Sequence, residues 1–108
     1  MMSALRLAFA VWLVTAVGAQ AQEIGSAAEG LKLAHASCSE CHLVDKVVGR
    51  SRDAAAPTFA SIANINGMTS AALTAALRTS HRTMPNVIIK SSDTGDLVAY
   101  ILSLKDSP

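Results

Sequence analysis

The sequence has little of several features that mark common classes of protein. Nine lysines and arginines against eight acidic residues leave a formal net charge of +1, so there is no basic excess to suggest nucleic-acid binding. No segment repeats another, which excludes a repeat array. Aromatic residues are limited to one tryptophan, one tyrosine and two phenylalanines in 108 residues. A core built from side chains alone would therefore have few large members.

The apolar run near the N-terminus is too short to be a comfortable membrane span. Spanning needs roughly 17–25 apolar residues, whereas the uncharged run covers 7–17. It follows the positive charge of Arg6 and precedes Ala19-Gln20-Ala21, a small-x-small cleavage pattern. We predict that 1–21 is a secretory signal peptide and that 22–108 is the mature domain. The alternative is a leader that is retained as an anchor.

The stretch with the most distinctive chemistry is Cys38-Ser39-Glu40-Cys41-His42. A Cys-x-x-Cys-His pattern is typical of the attachment site for a c-type haem. Its two thiols can add to the two vinyl groups of the haem, and the adjacent histidine is placed to bind the iron. We predict one haem c, covalently attached through Cys38 and Cys41, with His42 as a ligand of the iron.

Three other interpretations of the two cysteines are weaker. A thioredoxin-type dithiol follows a strand and opens a helix, and no strand pattern precedes Cys38. A structural zinc site would have to draw His35, Cys38, Cys41 and His42 from one short segment, whereas such sites usually combine two separated segments. A plain disulfide between the two cysteines is the third alternative.

The mature domain has 108 − 21 = 87 residues, a size at which side-chain burial alone gives marginal stability. Its only aromatic residues are Phe59 and Tyr100. A buried haem would add a large, flat apolar body to such a core. Helical spacing of apolar residues and capping signals predict four helices. These are 27–37, a short stretch within 56–63, a helix from 69 or 70 to about 78, and one from near 92 to near 105.

Local signals refine the first and last of these helices. Ser26 and Glu29 form a predicted capping box. Gly30 lies inside the first helix, where it costs roughly 1 kcal/mol relative to alanine, and we interpret it as the site of a close crossing with another helix. Asp93 and Asp96 are placed in the first turn of the last helix, where carboxylates suit the helix dipole.

The connecting segments are predicted to be irregular. We expect a loop at 45–56, a turn at 64–68, and a long loop at 79–92 that holds His81, Met84 and Pro85. The apolar run 87–89 resembles a strand but has no partner strand, so we predict loop backbone anchored in the core. With nothing but helix and loop assigned, the fold class is all-α.

These features together resemble the class I cytochromes c, the small carriers with a His/Met-ligated haem. The resemblance extends over essentially the whole mature chain. Cys38 and Cys41 match the thioether cysteines and His42 the proximal ligand, while Met84, followed by Pro85, matches the distal ligand. The resemblance implies about four helices and loops wrapped around one haem, with His42 and Met84 as the two axial ligands of its iron.

Further positions match the same family. Gly30 and the stretch 97–100 match its contact between the first and last helices. Pro57 resembles its proline on the histidine side, and the implied role of that carbonyl is to accept the Nδ1–H of His42. Only 84 − 42 = 42 positions separate the two ligands, as in compact bacterial members. Ala34 stands where many members carry an aromatic residue.

Rival ligands for the second axial position are few. Met68 precedes a helix and is better explained as loop core. His81 could give bis-histidine ligation, although a loop histidine followed by Arg82 is more often solvated. His35 lies three residues before Cys38 and is expected to be exposed.

The resemblance implies a periplasmic one-electron carrier rather than an enzyme, monomeric and free of the membrane once its leader is cleaved. The alternatives are a haem subunit held by one dehydrogenase and, less favoured, a haem enzyme such as a peroxidase with a labile methionine ligand. Between 45 and 90 the chain has a local excess of 6 − 2 = +4, which predicts redox partners with acidic docking surfaces. The charges are Lys46, Arg50, Arg52, Arg78, Arg82 and Lys90 against Asp45 and Asp53.

Overall fold

Four helices connected by loops make up the fold. The computed structural model describes residues 25–79, 81 and 83–107. Its helices are α1 (Ala27–Ser37), α2 (Phe59–Ala63), α3 (Ser70–Arg78) and α4 (Ser91–Ser103). Within these residues there is no β-strand, so the predicted all-α class is confirmed. The predicted leader 1–21 and the start of the mature chain at 22 lie outside the described residues.

Side-chain caps explain where three of the helices begin. Ser26, Thr58 and Thr69 each accept a hydrogen bond from the backbone N–H three residues further on, which satisfies an N–H with no partner inside the helix. Helix α4 begins after Lys90, which makes no side-chain cap. The helix runs from Ser91 to Ser103. The expected bounds were near 92 and near 105, so it starts one residue earlier and ends two residues earlier than expected.

The predicted capping box is only half right. Ser26 Oγ accepts from the Glu29 N–H at 3.4 Å as expected, but the Glu29 carboxylate does not return to the Ser26 backbone. It binds Lys32 Nζ at 2.8 Å instead. The Ser26 N–H donates to Asp96 Oδ1 at 2.7 Å. A long-range bond to α4 has thus replaced the local one, and it ties the start of α1 to the other helix.

Helices α1 and α4 cross where their backbones can approach closely. A Cβ added at Gly30 would overlap the Asp96 carbonyl and come within 2.7 Å of the Tyr100 Cβ. The predicted close crossing at Gly30 is therefore confirmed. The structure also shows a second close approach, which was not predicted. A Cβ added at Gly25 would overlap the backbone of Gly95. Both contacts are possible only because Gly30, in α1, and Gly25, just before it, have no side chain.

The core is built around α4, which packs against each of the other three helices. It supplies Leu97, Val98 and Ile101, with Leu104 directly after its end. Ala34, Phe59 and Leu73 come from α1, α2 and α3. Ala34 is fully buried. This small residue therefore fits the short distance between α1 and α4.

The apolar run 87–89 is loop, as predicted, but only one of its members reaches the core. Ile89 packs against the buried cluster, whereas Val87 is exposed and Ile88 is 95% exposed. The expectation that the whole run is anchored is therefore wrong. The backbone here is irregular, so its side chains do not share one face and a single residue makes the contact. No helix in the described part of the chain is long and apolar enough to cross a membrane.

Candidate functional site

The Cys-x-x-Cys-His stretch forms a turn directly after α1. Cys38 is the C-cap of that helix, and its N–H donates to the Ala34 carbonyl. The N–H groups of Cys41 and His42 both donate to the Cys38 carbonyl, at 3.2 and 2.9 Å. This turn keeps the two thiols and the imidazole in one short piece of backbone.

The two cysteines are half-buried and are not bonded to each other. Burial raises the pKa of the Cys38 thiol above its ordinary value of 9.0, because desolvation disfavours the thiolate. At neutral pH Cys38 is therefore a protonated thiol, unlike the activated, low-pKa cysteine of a redox dithiol.

His42 is held in a defined orientation by a backbone carbonyl. Its Nδ1 lies 2.6 Å from the Pro57 oxygen. A carbonyl can only accept, so Nδ1 carries the proton and Nε2 carries the lone pair that can bind a metal. A hydrogen bond from the other ring nitrogen to a carbonyl oxygen also raises the basicity of a histidine that binds a metal.

A row of rings supports the same histidine from the core side. The His42 and Phe59 ring centroids are 5.4 Å apart, and those of Phe59 and Tyr100 are 6.5 Å apart. The Tyr100 hydroxyl donates to the Val44 carbonyl at 2.6 Å. The sequence placed Tyr100 in the stretch expected to contact the first helix but did not predict this bond. A partner could have been expected, because a buried tyrosine hydroxyl usually makes a hydrogen bond.

Three further hydrogen bonds fold the loop after His42 back onto the motif. The Asp53 N–H donates to the Cys41 carbonyl at 3.1 Å, and the Phe59 N–H donates to the Leu43 carbonyl at 2.9 Å. The Leu43 N–H donates to Ser51 Oγ at 3.0 Å. These bonds bring residue 57 beside residue 42, fifteen positions away along the chain.

His35 is exposed, as expected. Its Nε2 lies 2.9 Å from Asp45 Oδ1, within hydrogen-bonding distance. Because the two histidines near the cysteines turn to Asp45 and to Pro57, the four residues of the zinc hypothesis do not share one centre. Among the described residues, no group of three or more His, Cys, Asp and Glu side chains could hold a metal ion.

Met84 lies at a second place, a pocket of about 400 Å³ between the end of α3 and the irregular segment before α4. His81 and Arg78 also line this pocket. Two of its lining residues, Leu77 and Ile89, pack against the core cluster. All of its lining residues come from 76–89, so the structure brings His42 and Pro57 together and Met84 and His81 together, but does not bring the first pair against the second.

The chemistry of these donors fits a covalent haem. Two unbonded thiols lie in one turn, an oriented imidazole has its free nitrogen available, and a half-buried thioether lines a pocket with both polar and apolar walls. Imidazole and thioether are ligands that c-type haem iron accepts. Met68, the rival methionine, packs against the core cluster instead and does not line the Met84 pocket.

The cations of the predicted docking surface are all exposed where the structure describes them. Of the two acids in the same segment, Asp45 is paired with His35. Arg82 lies outside the described residues. The described cations are Lys46, Arg50, Arg52, Arg78 and Lys90.

Comparison with protein-family models, with curated proteins and with solved structures found no match to this chain. Its function is therefore inferred from the residues of the site and their geometry.

Proposed function

We propose that this protein is a one-electron carrier of the class I cytochrome c type. One haem c is attached through Cys38 and Cys41, with His42 and Met84 as axial ligands of the iron. When bound, the haem supplies an iron that alternates between the ferric and ferrous states. The four helices and their loops wrap around it, and it adds the large apolar body that the side chains lack.

The observation that carries this proposal is the 2.6 Å hydrogen bond from His42 Nδ1 to the Pro57 carbonyl. A histidine that only filled the core would not need a fixed tautomer. Here the proton is held on the nitrogen away from the proposed metal, in the residue that follows two free thiols. This is the arrangement by which proteins orient a histidine ligand.

Cys38 and Cys41 would hold the haem through two thioether bonds. Each bond would come from addition of S–H across a vinyl group, with no change of oxidation state.

The chain's residues then favour electron transfer over catalysis. His42 and Met84 would both hold the iron, which would leave no coordination position for a substrate. Thioether ligation raises the potential. Filled axial positions also let the iron change charge with little movement of its ligands, so a carrier needs little reorganisation. The protein is therefore proposed not to be an enzyme.

The proposed setting is the periplasm, which the predicted leader 1–21 gives access to. The partners are redox proteins with acidic docking surfaces, which the exposed cations between 45 and 90 would attract. Such a field mainly raises the encounter rate and orients the partner. We propose a monomer that exchanges electrons between respiratory or dehydrogenase partners.

The test is the intact mass and colour of the exported protein. We expect the mass of the 22–108 chain plus one haem, with colour that stays on the polypeptide after denaturing extraction. The double variant Cys38→Ala, Cys41→Ala should lose all covalent haem, because no thiol remains. Glu40→Ala, an exposed position inside the motif, is the matched control and should keep it. Covalent haem in the double variant would refute the attachment site.

A further inference from the structure

We propose that Asn66 is a modification site, at which the side-chain amide is converted spontaneously to a carboxylate through reaction with the backbone of Gly67. The reaction is deamidation, and water is its only co-reactant. It takes place in the turn between α2 and α3, which contributes no residue to the proposed haem site. The proposal therefore does not depend on the proposed function.

The first step of the argument is the sequence of the turn. The chain has three asparagines, Asn64, Asn66 and Asn86, and only Asn66 precedes a glycine. Isoleucine and valine, which are branched at Cβ, follow the other two. Glycine has no side chain to hinder an attack by its own nitrogen on the residue before it. Asn66 therefore has the least hindered neighbour of the three.

The second step is the shape of the turn. The Met68 N–H donates to the Ile65 carbonyl at 3.0 Å, which closes a four-residue turn with Asn66 and Gly67 in the middle. Gly67 has a φ of +78°, and among the described residues no residue other than glycine has a positive φ, so the turn is of type II. The closing bond uses neither group of the peptide between Asn66 and Gly67. That peptide can therefore rotate, as the attack requires, while the turn stays closed.

The third step is that no bond has to break before the reaction. Asn66 and Gly67 are both exposed. Among residues 25–79, 81 and 83–107, neither the Asn66 side chain nor the Gly67 N–H has a hydrogen-bond partner. A Cβ added at Gly67 would find no atom within 4 Å. The turn is therefore not packed against another described part of the fold at this point.

Asn64, two positions earlier, shows the opposite arrangement. Its Nδ2 donates to the Ala60 carbonyl at 2.8 Å, and its Oδ1 accepts from the Asp106 N–H at 3.0 Å. The Ile65 N–H, whose nitrogen would have to attack it, donates to the Ile62 carbonyl at 3.2 Å. The amide and its attacking group are thus both held in place, and Asn64 is an internal control for the same chemistry.

The reaction has two balanced steps. The Gly67 nitrogen bonds to the Asn66 Cγ, and the side-chain nitrogen leaves as ammonia with the proton that the backbone nitrogen gives up, which forms a five-membered succinimide ring. Water then opens the ring at either carbonyl. One product is aspartate, and the other is isoaspartate, in which the main chain runs through the side-chain carbons. Both products are more negative than asparagine, and nothing is oxidised or reduced.

The experiment incubates the exported protein at mildly alkaline pH, which speeds the attack, in buffer and in parallel in urea. Peptide mapping by mass spectrometry reports the conversion of each asparagine and separates aspartate from isoaspartate. We expect both products at Asn66 in the folded protein, at a rate comparable with that in urea, and no conversion of Asn64 over the same time. Conversion of Asn66 in urea alone would show that the fold protects it and would overturn the proposal.

Isoelectric focusing of variants gives a second readout. Wild type should gain a more acidic band with time, and the peptide map of that band should contain the converted residue 66. Asn66→Gln should lose the band, because its longer side chain would have to form a less favourable six-membered ring. Asn86→Gln is the matched control and should keep it. The same band in Asn66→Gln, with residue 66 unconverted in wild type, would place the change elsewhere.

Neither readout uses the colour or the mass of a haem. A protein without covalent haem would refute the proposed function and leave the expected conversion of Asn66 unchanged. A protein with covalent haem whose Asn66 stays intact in the fold would overturn the modification site alone.

Discussion

The two sides of the candidate site are built differently. On the histidine side, His42 is fixed by the Pro57 carbonyl, by the Phe59 ring and by a loop with three further hydrogen bonds. On the methionine side, Met84 lies in an irregular segment between exposed residues, next to an open pocket. The proposed histidine ligand is thus fixed by several hydrogen bonds and ring contacts, whereas the proposed methionine ligand lies in irregular backbone.

The difference is one of packing. Close contacts are concentrated where α1, the motif and α4 meet, and the exposed backbone lies in the segment before α4. The variants below test this contrast, beginning with the largest expected effect.

Gly30→Val should destabilise the protein by disrupting the contact between α1 and α4. The added Cβ overlaps the Asp96 carbonyl and meets Tyr100, so α1 and α4 must separate, and we expect a loss of about 3 kcal/mol in the free energy of unfolding. Ala28→Val, at an exposed position of the same helix, measures the cost of valine in a helix alone. Urea unfolding of both proteins checks this. Equal stability of the two variants would mean that the helices do not meet at Gly30.

Tyr100→Phe should also lower the free energy of unfolding, by a smaller amount. It removes the hydroxyl that donates to the Val44 carbonyl, and we expect a loss of about 1–3 kcal/mol because that buried acceptor is left unsatisfied.

The tyrosine also predicts a dependence on pH. Desolvation, with a contribution from the Asp45 charge, raises the pKa of Tyr100 above its ordinary value of 10.0. The unfolded chain therefore loses this proton first as the pH rises. The stabilisation is complete below about pH 10 and is lost as the pH rises through the folded pKa. Denaturation curves at several alkaline pH values should fall more steeply for wild type than for Tyr100→Phe; parallel curves would contradict this cause.

The smallest effect is expected on the open side, on rate and not on stability. Reduced protein should be oxidised by hexacyanoferrate, an anion, at a rate that falls with added salt, since screening acts over roughly 8–10 Å. Arg78→Glu, at the wall of the Met84 pocket, should lower the rate at low salt. Lys105→Glu, outside the cationic segment, should lower it less. A rate that does not depend on salt would exclude electrostatic attraction at this surface.

Much of the fold could be predicted from local signals because most of its boundaries are set locally. Ser26, Thr58 and Thr69 stand at helix starts with side chains that cap them. The buried positions of α4 repeat with helical spacing. Both facts depend on neighbours within four residues, and the sequence shows such neighbours directly.

The errors concern contacts between distant segments. Asp96 displaced Glu29 as the partner of the Ser26 backbone, and Gly25 meets Gly95 at a second close approach. Ile88 turned outward although its neighbour Ile89 is anchored. In each case the outcome depends on where another element lies, and local patterns do not encode that. The motif residues, their order, and the position of His81 and Met84 in one loop could all be predicted, because each depends only on neighbours along the chain.

The position of Tyr100 makes the proposed holo-protein its own fluorescence probe. The chain has one tyrosine and one tryptophan, and the tryptophan, Trp12, is in the predicted leader. In a protein that begins at 22, ultraviolet emission would come from Tyr100 alone. That ring is in the row that leads through Phe59 to His42, so a haem bound at His42 would quench it by energy transfer. Emission would rise only when α4 leaves the site, and a simple cuvette measurement would report separation of the rigid half.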